Sequence, residues 1–218
     1  MCRVLFFCML LPCVGMADVV DSEIWINELH YDNDGADTNE FVEVAAPAAF
    51  TGLSDVTLTL YNGNTGEPYG TPTSLDLFAR GETVNGFTFY TLDVSMQNGA
   101  PDGLALTLGD EVLQLLSYEG TLTASAGPAA PLTSTDMGVE ETTSTPVGSS
   151  LQLAGRGDSY LDFAWQAPMA HTRGTINYGQ STVPEPASLA LWLVAASYPL
   201  LLWRRSRSRS VRGTTQRL

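Results

Sequence analysis

Val56-Thr57-Leu58-Thr59-Leu60-Tyr61, followed at once by Asn62-Gly63, is the stretch that decides the fold. Large aliphatics alternate with threonine, the period of two that a half-buried strand requires, so one face belongs to a core and the other to water. Asn62 and Gly63 both accept positive φ, which predicts a tight turn there. Gly109-Asp110, between the aliphatic runs 104–108 and 112–116, the second continuing as a strand to 118, predicts a second hairpin.

Working outward, residues 22–30, 40–46, 87–94 and 151–153 read as further strands separated by turn residues. Gly and Pro are too frequent for any helical period to persist. About seven short strands at this spacing predict an all-β protein, a β-sandwich. Residues 121–150, rich in Thr, Ser, Ala, Gly and Pro, exceed the usual loop length and read as a lid or a flexible spacer.

Six blocks then carry a resemblance. They are Ile26-Asn27-Glu28-Leu29-His30-Tyr31-Asp32, Glu40-Phe41-Val42-Glu43-Val44, Leu60-Tyr61-Asn62-Gly63, Gln97-Asn98-Gly99-Ala100-Pro101-Asp102-Gly103, Leu116-Ser117-Tyr118-Glu119-Gly120 and Ser149-Ser150-Leu151-Gln152-Leu153. As a set they resemble the bacterial lamin-tail domain, which implies an immunoglobulin-like β-sandwich over residues 18–180. Asp55-Val56 stands where that family commonly has Gly-Trp. Such domains occur beside secreted nucleases and other hydrolases or alone on the cell surface, and the resemblance implies a fold without catalytic residues.

The ends of the chain read as address labels. Residues 1–17 run from Arg3 through an apolar stretch to Gly15 and Ala17, the order of a secretory signal peptide handled by the Sec machinery. Cys2, Cys8 and Cys13 all fall inside it, so the expected mature chain has no thiol, disulfide or cysteine-bound metal.

At the other end, a linker at 181–186 contains Pro184-Glu185-Pro186. Residues 187–203 form an uncharged stretch at the short limit for a transmembrane helix, and a basic tail, 204–218, opens with Arg204 and Arg205. Arginines retained in the cytoplasm place the bulk of the protein outside. Motif, apolar segment and arginine cluster in this order resemble the PEP-CTERM sorting signal of Gram-negative bacteria. That resemblance implies an exosortase as partner, an inner-membrane-anchored precursor, and delivery to the cell surface or extracellular matrix. A permanent single-span anchor is the other reading of the same residues.

All 10 basic residues are arginines, and only Arg80, Arg156 and Arg173 lie between Asp18 and Pro186. Against 24 acidic residues they leave this part with a net charge of −21. Nucleic-acid binding draws on counterion release by basic side chains, so direct nucleic-acid binding is not expected.

Asp32-Asn33-Asp34-Gly35-Ala36-Asp37-Thr38-Asn39-Glu40 is the densest run of hard oxygen ligands. Asp32, Asp34, Asp37 and Glu40 around a glycine turn are candidate calcium ligands, although the spacing is not that of an EF-hand. A plain inter-strand loop explains the same residues. His30 reads as a hydrogen-bonded residue at a strand end, and His171 as part of a polar turn. Trp25 and Trp165 read as core or cross-strand aromatics before a sugar-binding platform. Arg156-Gly157-Asp158 matches an adhesion tripeptide and reads as coincidence in a Gly- and Asp-rich loop.

No nucleophile elbow or zinc spacing is present in the sequence. The expected function is therefore a non-enzymatic exported module with a binding or structural role, meeting an extracellular polysaccharide. The alternative is an accessory domain of a secreted nuclease or phosphatase system.

Overall fold

A computed structural model describes residues 20–183, and within them the chain is all-β in two sheets, as a β-sandwich requires. Twelve strands follow in order: β1 (Trp25–His30), β2 (Phe41–Pro47), β3 (Val56–Asn62), β4 (Glu67–Ser74), β5 (Ala79–Val84), β6 (Phe87–Asp93), β7 (Asp102–Leu108), β8 (Glu111–Tyr118), β9 (Thr135–Asp136), β10 (Ser149–Gly157), β11 (Phe163–Ala170) and β12 (Gln180–Thr182). The first sheet runs β11-β10-β1-β2-β6-β5, with β12 added in parallel to β10. The second runs β4-β3-β7-β8-β9.

All seven expected strands are present. β4, β5, β9, β11 and β12 are additional, and several lack the alternation that betrays a strand. β4, Glu-Pro-Tyr-Gly-Thr-Pro-Thr-Ser, lies at a sheet edge and buries none of its residues fully. Edge strands tolerate proline because one side of the backbone needs no partner. No helix among the described residues is long and apolar enough to cross a membrane. The expected signal peptide, sorting motif, transmembrane helix and basic tail lie outside the described residues.

Between the sheets the core joins Val42 and Val44 of β2, Val56, Leu58 and Leu60 of β3, Leu104 and Leu106 of β7, and Leu151 and Leu153 of β10. Trp25 belongs to the same cluster of buried residues, with its ring 5.0 Å from Phe87 and 5.2 Å from Phe163. A fully buried aromatic of this size stabilises by several CH₂ equivalents, each worth about 0.8 kcal/mol. One hydrogen bond crosses between the sheets: a bulge in β1 frees the Ile26 N–H, which donates to Gln114 Oε1 of β8 at 2.7 Å.

The expectation of one wet face per strand is corrected. Thr59 of β3 is 1% exposed and Tyr61 is fully buried, because the outer side of the second sheet is covered by residues 122–132. There Leu122, Ala124 and Ala129 pack on Tyr61, Ala105 and Leu115 as a second, smaller core. The 121–150 segment is therefore not a free spacer. Its backbone is tied down by Ser134 N–H to Leu122 O and Met137 N–H to Ser117 O, both 2.8 Å.

Two turn expectations part company. Gly109-Asp110 is a two-residue hairpin loop with Leu108 opposite Glu111 and Gly109 at φ +57°. Asn62-Gly63 is not the expected tight turn, since the loop runs on to Gly66, which takes the positive φ and donates its N–H to Asn62 O. Gly63 is required for a different reason: a Cβ there would stand 1.6 Å from Pro101 O. Residues 181 and 182, expected as linker, belong to β12, whose register sets Ser181 opposite Arg156.

Candidate functional site

Polar side chains inside the first sheet gather in two neighbouring networks, both built on β1. The first lies on the outer face, where β1 and β2 set Glu28 opposite Glu43 and both are fully buried. Residues 171–180, returning from β11 to β12, cover that face. Glu28 accepts from Ser150 Oγ (2.5 Å), Thr172 N–H (2.9 Å) and Thr172 Oγ1 (3.1 Å). Glu43 accepts from Asn27 Nδ2 (2.9 Å) and Gly174 N–H (2.6 Å). Asn177 donates to Asn27 O and Leu153 O, and Gln180 donates to Asn27 Oδ1.

Burial holds the Glu28 carboxyl above its ordinary range. The Glu43 carboxyl is held well above, by burial and then by the charge of Glu28. Arg173 stands nearby, its guanidinium carbon 5.0 Å from the centre of the Phe41 ring and Nη2 2.5 Å from Asp93 Oδ1. Arg173 and Asp93 also line an open polar cleft of about 460 Å³ with Asn39, Glu40, Val94 and Ser95.

The second network closes the end of β1. Glu141, fully buried, comes from the long 121–150 segment and accepts from Tyr31 N–H (2.6 Å) and Asp32 N–H (3.1 Å). Both of its oxygens lie 3.0 Å from His30 Nδ1. His30 Nε2 faces Asn33 Oδ1 (3.2 Å) and Thr38 O (3.1 Å).

The Asn33 amide is fixed in this sense, because its Nδ2 donates to Asp34 O and Ala36 O while Oδ1 accepts from Thr38 N–H. Both imidazole nitrogens thus meet acceptors only, the arrangement a doubly protonated ring satisfies. Burial opposes that charge, but the Glu141 carboxylate and the acceptors at Nε2 outweigh it, and the His30 pKa is raised. Tyr31 completes the clasp: its hydroxyl accepts from Glu141 N–H (2.8 Å), and its ring stacks on Tyr118 at 3.9 Å.

The four candidate calcium ligands are not brought together as a set. Asp34 is exposed, and its backbone N–H donates to Thr145 O (2.8 Å). Glu40 turns toward the β6–β7 connection and accepts from Met96 N–H at 3.3 Å. Asp32 and Asp37 do meet, carboxyl against carboxyl, and burial followed by the Asp37 contact raises the Asp32 pKa. Among the described residues no group of three or more His, Cys, Asp or Glu side chains is arranged to hold a metal ion.

His30 is the hydrogen-bonded strand-end residue expected, and His171 stands edge-on to Phe41 at 6.0 Å. Trp25 is core, with Nε1 donating to Asn27 Oδ1, and Trp165 Nε1 donates to Tyr160 Oη. Arg156 and Gly157 lie in β10 rather than in a loop. Pro184, Glu185, Pro186, Arg204 and Arg205 lie outside the described residues.

Glu28, Glu43 and Glu141 are absent from the sequence-based candidates. Glu43 between two valines looks like an ordinary solvent-facing position, and nothing local announces that residues 171–180 return to cover it. The one available signal was Asn27-Glu28, two polar residues inside an otherwise apolar strand.

Fold and networks together define a class: an all-β, two-sheet protein with carboxylates buried on the outer side of one sheet and at the end of its central strand. No family model, curated protein or solved structure matches the chain.

Proposed function

We propose that the chain is a non-enzymatic exported module: an immunoglobulin-like, lamin-tail-like domain, sorted by an exosortase and used for binding or structure outside the cell. The observation that carries this reading is the order of the sequence that follows the described β-fold. The last described residue, Val183, still donates its N–H to Gly157 O (2.9 Å), and Pro184-Glu185-Pro186 follows immediately, then the apolar stretch and the arginines.

The lamin-tail resemblance is supported by where its blocks fall. The blocks at 26–32, 40–44 and 149–153 cover most of β1, β2 and the start of β10, three adjacent strands of the first sheet. Those at 60–63, 97–103 and 116–120 fall at the ends of β3 and β8 and the start of β7, which are adjacent in the second. The excess of carboxylates suits a protein that stays soluble outside the cell.

Replacing Pro184, Glu185 and Pro186 by alanine in an exosortase-bearing Gram-negative host tests the reading. The wild type should be recovered shortened at both ends, and the triple variant should remain membrane-bound with its C-terminal segment attached. Wild-type protein of full mass, both apolar ends intact, overturns it.

A further inference from the structure

Asp32 is 5% exposed, and its Oδ1 has no hydrogen-bond donor. Its carboxyl lies against that of Asp37. Asp37 itself is held in place, Oδ1 accepting from Asn33 N–H (3.4 Å) and Oδ2 from Asn98 Nδ2 (3.2 Å). Two carboxylates in contact repel each other, and the contact calls for a positive charge or a proton between them.

Two of the described cationic side chains are engaged elsewhere. His30 is neutralised by Glu141, and Arg173 pairs with Asp93. The His30–Glu141 pair meets Asp32 through its acidic member, which accepts from the Asp32 N–H and adds negative charge beside the carboxyl. A buried carboxyl with one donor-free oxygen, beside a second carboxyl, is thus the part of this loop that a cation would complete.

We propose that Asp32 and Asp37 bind a divalent cation, with calcium as the ion that fits. Calcium takes carboxylate, carbonyl and water oxygens in irregular geometry, whereas magnesium demands a near-ideal octahedron. Asp34 and Glu40, the other acids of the loop, take no part. Two acidic ligands make a weak site, in the range of about 10⁻⁴ to 10⁻³ M that extracellular calcium modules occupy. This inference rests on the loop alone and is independent of the export reading.

Calcium chloride titrated into EDTA-treated full-length protein in mild detergent, followed by calorimetry and by thermal melting, tests it. One ion per chain should bind and raise the melting temperature, with magnesium at least tenfold weaker. Asp37→Asn, at an exposed position and therefore safe for folding, should weaken calcium at least tenfold, as should Asp32→Asn where it folds. Asp34→Asn should stay within twofold of wild type. Absence of heat and of any melting shift up to about 10 mM calcium, well above that affinity range, overturns the proposal. So does an Asp37→Asn protein that binds like wild type, or magnesium binding as tightly as calcium.

Discussion

Glu28 and Glu43 are direct partners across the β1–β2 ladder, two fully buried carboxyl groups that accept hydrogen bonds from the same short piece of backbone, Thr172 to Gly174. Like charges opposite each other on adjacent strands destabilise a sheet. Here the cost is reduced by holding protons: both pKa values lie above 4.5, the ordinary glutamate value.

The first prediction is a pH dependence. A folded state that holds protons more tightly than the unfolded chain is stabilised below the unfolded pKa and loses that stability as pH rises toward the folded values. Unfolding free energy should therefore fall as pH rises above the ordinary glutamate range toward the raised values, by up to about 1.4 kcal/mol per pH unit for each proton held. Urea melts across this window check it, and a curve that rises throughout would refute it.

Glu43→Gln should separate the charge from the hydrogen bonds. Glutamine keeps an acceptor for Gly174 N–H but loses the one for Asn27 Nδ2, a cost of about 1 kcal/mol for a buried pair. The variant should be the less stable protein near pH 5 and should gain on wild type as pH rises, because it carries no charge to repel Glu28. A deficit that stays constant with pH would show that charge is not what matters at this position.

Glu141→Ala should be severe. It strands the His30 Nδ1–H and the N–H groups of Tyr31 and Asp32 in a buried setting. Removing one partner of a buried ion pair costs about 3–5 kcal/mol. Denaturant unfolding measures the loss, and hydrogen exchange should show the amides of residues 31 and 32 losing protection. A loss below about 1 kcal/mol would mean that the long segment is held by its apolar contacts and backbone hydrogen bonds without help from Glu141.

Two glycines should respond differently to the same substitution. Gly63→Ala forces a Cβ onto the Pro101 carbonyl and should cost about 3 kcal/mol or more. Gly109→Ala meets open space and only the left-handed φ, so a loss of about 1–2 kcal/mol is expected. Thermal melts of both variants rank them, and the reverse order would contradict the close approach of the two loops.

How much of this was legible in the sequence depends on range. β3 announced itself through Val56, Leu58 and Leu60, because alternation is a local property and those side chains do face the core. Trp25 was readable as core for the same reason. The burial of Thr59 was not, since it depends on Leu122 and its neighbours returning over the second sheet.

The same holds for the site. Asp32 and Asp37 were visible as a dense acidic run, yet which of the four acids converge is set by bonds to Asn98 and Met96, some sixty residues away. Glu141 sits more than a hundred residues from His30, in a segment whose composition suggests disorder. His30 could be recognised as a satisfied polar group, but its partner could not be named.

β12 also has a mechanical meaning. It is held to β10 by a parallel ladder of three residue pairs, and the chain leading into it is the same 171–180 segment that covers Glu28 and Glu43. Tension entering at Val183 meets that short ladder before any other strand. Once it yields, the load passes to the covering segment, and peeling it away floods with solvent two carboxyls whose pKa values burial had raised. Their ionisation then resists reclosure, so a tug at this end would be remembered in the charge state of the sheet beneath.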